Sequence, residues 1–248
     1  MKILNLIMLV SICAAPLYSQ EPFQNIPIDD INFRRLYEQE GEQGLRPYIH
    51  EAADSALAIL EIVDVEGNYF GESNGERLGE FLDVLSYAGD MSSKDALLKA
   101  MSSPKISGNN IARGLMRLGP EIQPEILSYL DRNNWDKKSI GTLSTLGRMA
   151  RIDTTGTYIT EEFREKVRDK LVVMLAERAN NEAGLTRGAV WALAYFGDES
   201  VIPLLEEIGN EDIPGLQSEN KSLNSTYTPR IYIPNSPQDV IDYIKEKK

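Results

Sequence analysis

The sequence predicts an all-α protein: an α-solenoid of stacked antiparallel helix pairs (HEAT-like in its repeat, as argued below), with a short extended segment and a final helix at the C-terminus. Three observations carry this. First, four segments share a pattern centred on a glycine, at Gly89, Gly119, Gly147 and Gly197. A leucine stands four residues before each (Leu85, Leu115, Leu143, Leu193), an apolar residue immediately before (Ala88, Leu118, Leu146, Phe196) and another seven before (Leu82, Ala112, Ile140, Val190). Second, a further apolar stripe follows each glycine, at helical spacing. Third, a single pair of such helices cannot bury its own stripe, so a recurring unit of this kind implies neighbours stacked on both sides.

In chain order, residues 1–20 read as a signal peptide: Lys2 is a charged start, Ile3 to Ala15 a short apolar run, Pro16 a helix breaker, and Ser19 or Gln20 a cleavage point. The apolar run falls short of the roughly 20 residues that span a bilayer. Residues 21–43 form a leader, with a short helix over Asn32 to Glu40. The solenoid occupies 44–209. Gly44 to Asp64 is a helix by the spacing of Tyr48, Ala52, Ala53, Ala56, Leu57, Leu60 and Val63, and Gly67-Asn68 is its turn. Ser73 and Glu76 have capping-box spacing and open the first helix of repeat one. Asp90 to Ser93 turn the chain into a second helix carrying Ala96, Leu97 and Ala100.

Repeat two starts after Ser107, an N-cap residue. Its second helix tolerates Pro124 in the first turn and carries Ile126, Leu127 and Leu130. In repeat three the stripe is Leu171, Val172 and Leu175, displaced by an insertion around Arg151 to Glu161 relative to Gly147. Repeat four has Leu204, Leu205 and Ile208. Each glycine is expected to end its first helix in the left-handed conformation that costs glycine nothing. Asp90 and Asp198 then cap the second helices, with Pro120 and Arg148 at the same place in the middle repeats. Residues 210–248 comprise a Ser/Asn-rich loop, an extended Ile231-Tyr232-Ile233, and a helix capped by Ser236 with Pro237 first and Val240, Ile241 and Ile244 on one face.

Arg187-Gly-Ala-Val-Trp-Ala-Leu-Ala-Tyr-Phe-Gly-Asp198, followed by Val201-Ile-Pro-Leu-Leu205, resembles a HEAT repeat of the short phycobilin-lyase-like type. The resemblance extends over about Gly75 to Gly209. It implies antiparallel helix pairs in a curved right-handed stack serving as an interaction scaffold.

Composition narrows the function. The net charge is −12, and residues 1–20 hold one lysine and no acid, so the mature chain is more acidic still. Such a surface repels phosphate backbones, so no nucleic acid is expected as partner. No stable membrane span is expected after signal removal. Cys13, the only cysteine, leaves with the signal, so neither thiol chemistry nor disulfides are expected. His50 is the only histidine and reads as a surface residue beside Glu51; iron-binding HEAT hydroxylases use repeated His-Glu pairs, and no second pair follows. Asp153-Thr-Thr-Gly-Thr157 has the outline of a phosphorylation loop but lacks its lysine and its strand, and reads as a turn. The acidic pairs Glu161-Glu162, Glu206-Glu207 and Glu211-Asp212 read as solvated faces. Asn220-Lys-Ser222 and Asn224-Ser-Thr226 are glycosylation sequons only in a eukaryotic host.

No catalytic, metal or cofactor residue is expected. The candidate partner-binding residues are Trp191 and Tyr195, with Arg113 and Arg117 at the equivalent positions of repeat two. The bland alternative for Trp191 is packing beneath the C-terminal segment. The sequence thus reads as an exported (periplasmic or secreted), non-catalytic scaffold for another protein. Its rivals are a lyase-like or ligand-handling protein with a concave groove, and a structural envelope component.

Overall fold

The computed structural model describes residues 31–66, 72–103, 106, 108–131, 135, 137–178, 183–211 and 236–246. The expected signal peptide, Gly67-Asn68, Ser107, the two sequons and the extended 231–233 lie outside the described residues, as do residues 21–30 of the leader.

Asn32 accepts a hydrogen bond from the Arg35 amide at 2.9 Å and so caps α1 (Phe33–Glu40). The helix expected from Gly44 is interrupted. A short α2 (Glu42–Leu45) gives way to a 3₁₀ turn over Arg46–Tyr48, because Pro47 cannot donate to a continuing helix, and α3 (Ile49–Glu66) follows. Next comes α4 (Glu72–Ala88), which begins one residue before Ser73, so Ser73 lies inside the helix rather than capping it. Repeat one closes with α5 (Lys94–Ser102).

Repeat two is α6 (Asn109–Arg117) and α7 (Gln123–Ser128); the N-cap of α6 is Gly108, with no side-chain cap. Repeat three is α8 (Lys137–Ile152) and α9 (Glu161–Ala176), repeat four α10 (Ala183–Phe196) and α11 (Ile202–Gly209), and α12 (Pro237–Glu246) ends the described chain. Ser236 and Asp239 cap α12 reciprocally, each accepting from the other's amide at 3.1 Å. No strand occurs among the described residues.

Residues from Asn32 onward form one compact unit. The first helices of the repeats pack in succession, α4 on α6, α6 on α8 and α8 on α10, and α12 continues that layer against α10 and α11. The second helices lie behind: α3 packs on α5, α7 on α9 and α9 on α11. The arrangement is an all-α, solenoid-like stack. It extends past the four expected repeats at both ends. At one end Phe33 sits edge-on to Tyr48 and Phe81, Tyr37 stacks on Tyr87 with ring centroids 4.2 Å apart, and Arg77 lies over Phe81 at 4.8 Å. At the other, Val240, Ile241 and Ile244 are buried.

The leucines behave as expected in one sense and differ in another. Leu85, Leu115, Leu143 and Leu193 all have no solvent exposure. Gly89 and Gly119 end their helices with φ of 60° and 93°. Gly197 also follows its helix end, but its φ is outside the left-handed region, and it is glycine for space: a Cβ there would lie 2.5 Å from the Leu193 carbonyl oxygen. Gly147 does not end a helix at all. It lies within α8, which runs on to Ile152, and Asp153 makes the turn.

Measured from that end, the residue four positions back is Met149, buried at 2 %. Met149 therefore holds the place in repeat three that Leu115 and Leu193 hold in theirs, and Leu143 is buried further up, opposite Gly188. The insertion is accordingly shared between a longer α8, an eight-residue connection over 153–160, and the first turns of α9, where Phe163 and Val167 are buried. Asp153-Thr-Thr-Gly-Thr157 is a turn, as expected. The buried Asp153 carboxylate accepts from the amides of Thr157, Tyr158 and Ile159 at 2.9, 3.1 and 2.7 Å. Those bonds satisfy amides that a helix or sheet would otherwise have to pair.

Met149→Ala and Leu193→Ala are each expected to lower the unfolding free energy by about 2–5 kcal/mol, the range for truncating a core side chain that leaves a cavity. Urea denaturation checks this; a Met149→Ala loss below about 1 kcal/mol would remove Met149 from the spine.

Candidate functional site

The four candidate residues do not form one cluster. Arg113 and Arg117 lie on α6, Trp191 and Tyr195 on α10, and α8 stands between them. Arg117 is a strut rather than a free cation. It donates to Glu42 Oε1 at 2.9 Å and to the Tyr87 carbonyl at 2.6 Å, and its guanidinium lies 5.6 Å from the centre of the Tyr87 ring. Arg113 is exposed. Its charge acts on Asp83 of α4, whose carboxyl is pushed up by burial and by Glu80, with Arg113 working in the opposite direction. Asp83 also accepts from the Asn110 amide group.

Trp191 is half-buried. Its ring lies flat enough against α8 that a Cβ on Gly147 would come within 2.0 Å of it, so glycine is there to admit the indole. Trp191 meets Tyr195 edge-on at 5.4 Å, and Tyr195 meets Tyr243 of α12 at 5.7 Å. Tyr195 is buried, with 7 % exposure. The C-terminal helix therefore joins this aromatic row, and Tyr195 belongs to the packing more than to the surface. The Trp191 indole N–H is buried and has no hydrogen-bond acceptor among the described residues. An unpaired buried donor of this kind costs about 1–3 kcal/mol and is rare in packed proteins.

The sequence reading missed the element between these pairs. Arg148 and Arg151 project from α8 three residues apart, so they share a face. Arg148 Nη1 and Arg151 Nη2 both donate to the same atom, Asn109 Oδ1 at the start of α6, each at 3.3 Å. Neither meets a carboxylate among the described residues, and the Arg148 Nε is buried without a partner. Burial, then the charge of Arg151, pulls the Arg148 guanidinium below its ordinary range. Burial and Tyr243 push the Tyr195 phenol up, and Arg151 works against them, which places Arg151 within electrostatic reach of the aromatic row. The signal was in the sequence as Arg-x-x-Arg, but reading Gly147 as a helix end put Arg148 in a turn. It lies in the helix.

Several other charged groups pair off. Lys94 bonds Glu125, Arg168 bonds Asp198, Lys170 bonds Asp131, and Arg178 bonds Glu207 and Glu211. His50 and Glu51 are exposed, and Asp90 and Asp198 cap the turns between the two helices of repeats one and four by accepting from Ser92 and Ser200 amides at 2.8 and 2.9 Å. No group of three metal-ligating side chains occurs among the described residues. No described helix is long and apolar enough to cross a membrane.

Residues 187–208, covering α10 from Arg187 onward and all but the last residue of α11, match the family described as PBS lyase HEAT-like repeat. The chain carries a HEAT-like repeat. No curated protein and no solved structure matches it. The matched HEAT-like unit is the one whose first helix presents Trp191 to α8, and α12 covers its far side.

Gly147→Ala is expected to destabilise by about 1–3 kcal/mol through overpacking against the indole, against a helix-propensity gain of about 1 kcal/mol. In a Trp191→Ala background the same substitution is expected to become neutral or stabilising. A double-mutant cycle by denaturant titration reads the coupling. Arg113→Gln is expected to move the Asp83 carboxyl further up, which a carbon-13 carboxyl titration measures.

Proposed function

We propose that this protein is an exported, non-catalytic HEAT-repeat scaffold that binds another protein, working in the periplasm or outside the cell. The observation that supports it best is the surface of the first-helix layer. There α10 packs a half-covered tryptophan on α8 at Gly147, and α8 carries two arginines that meet no carboxylate among the described residues and share Asn109 of α6 instead. Tryptophan and arginine are the residue types that dominate protein interfaces. Rigid stacked helices hold them in place at little conformational cost on binding. The start of the sequence, with one lysine and a short apolar run, supports export. The acidic remainder supports a partner that is not a nucleic acid.

Expressed in its native host, the protein is expected in the exported fraction with a mature N-terminus just after Ser19 or Gln20; intact-mass measurement checks this. A photo-crosslinking residue at Arg113 or Arg187, both exposed on the first-helix layer, is expected to capture a partner. One at Val173, exposed at 46 % on the second layer, is expected to capture none. Equal capture from both layers, or no capture from either, would overturn the proposal.

A further inference from the structure

We infer that Arg148, Arg151 and Asn109 form a carboxylate-binding fork, and that it takes a glutamate or aspartate side chain from a partner-protein segment in which one or two acids stand among neutral residues. The inference rests on the scaffold reading above and names the chemistry of its interface.

Two guanidinium groups converge on one neutral oxygen, Asn109 Oδ1, at 3.3 Å each. Both contacts are long for a hydrogen bond to oxygen, whose usual range ends near 3.2 Å. A neutral amide oxygen cannot offset two like charges. A carboxylate can, and the planar fork of arginine fits its two oxygens. The remaining donors of both groups have no acceptor among the described residues. Elsewhere on the molecule cations that reach between repeats find acids: Arg178 has two, and Lys94 and Lys170 one each. An acidic chain that supplies carboxylates at those places supplies none here among the described residues.

Charge decides which carboxylate source is favoured. At a net −12 the protein repels a polyanion at long range. A segment with one or two acids set among neutral residues pays little of that repulsion. Beyond about 8 Å at physiological salt the surrounding acids are screened, while contacts at the fork are not. Trp191 packs on Gly147, the residue before Arg148, and its buried indole N–H, with no acceptor among the described residues, reports on that stretch of α8.

The test uses the full chain, uniformly nitrogen-15 labelled. It is titrated with a short blocked peptide carrying two glutamates, with its glutamine isostere, and with inorganic phosphate at matched ionic strength. The Trp191 indole N–H cross-peak, assigned by Trp191→Phe, is the readout. The Trp135 indole, which donates to the Leu130 carbonyl at 3.1 Å, is the internal control. The expected result is a saturable shift of the Trp191 peak with the glutamate peptide only, weakened at least about tenfold by Arg148→Gln and by Arg151→Gln. Should Arg148→Gln fail to fold, Arg151→Gln carries the comparison, and Lys166→Gln, on α9 of the second layer, is expected to change nothing. A response equal for the isostere or for phosphate, no response at millimolar peptide, or binding unchanged in the folded fork variants would overturn the inference. In that event a crosslinked partner still captured through Arg113 leaves the scaffold reading standing, and loss of capture there fails that reading separately.

Discussion

The structure depends on the close approach of successive first helices through side chains that have lost all contact with water. Leu85, Leu115 and Leu193, with Met149 at the matching level, are each buried to within a few per cent. Each such side chain contributes roughly 1.5–3 kcal/mol when fully buried. No helix of six to eighteen residues can provide both the stripe and its cover, so each repeat depends on the next. The ends must then be closed, and the chain closes them with different chemistry. At the first repeat the rings of Phe33 and Tyr37 from α1 cover Phe81 and Tyr87 of α4; at the last, the apolar face of α12 covers α10 and α11.

That constraint explains the irregular third repeat. Lengthening α8 beyond Gly147 leaves the spine intact only if another buried residue takes over at the new level, and Met149 does so. The same extension turns Gly147 from a helix end into a notch that receives the Trp191 ring. It also carries Arg148 and Arg151 out of a turn and onto a helix, where their spacing brings both guanidinium groups to Asn109. The buried Asp153 then pins the connection to α9 through three amides, so the longer repeat is ordered at its turn.

Most of the fold was legible in the sequence. The leucine spacing gave the helix pairs, the prolines and Asp90 and Asp198 gave the turns, and Ser236-Pro237 gave the last helix. What misled was a glycine, because glycine signals two different things: a left-handed backbone, as at Gly89 and Gly119, and close approach of a neighbour, as at Gly147. Leucine four residues back does not separate the two, since helix interiors carry the same spacing. The register of repeat three could be read only from where the helix ends, and that is fixed by Asp153, whose role depends on amides four to six residues further on. The candidate site was legible in part. Trp191 stood out by type, but its cover by α8 and the burial of Tyr195 against Tyr243 depend on residues far away in the chain.

The pairing of charges across the molecule gives the fork its weight. An exposed ion pair is worth little, at most about 1 kcal/mol, so the bridges between second helices are weak evidence about stability. They are better evidence about arrangement. With acids outnumbering bases 38 to 26, a cation has many chances to find a carboxylate, and Arg168, Arg178, Lys94 and Lys170 do. Arg148 and Arg151 share a neutral oxygen instead, with Arg148 partly desolvated beside a like charge. A purely structural role would be served as well by one arginine, or by a lysine reaching water. Two planar donors held together on one rigid helix are instead what a planar anion requires.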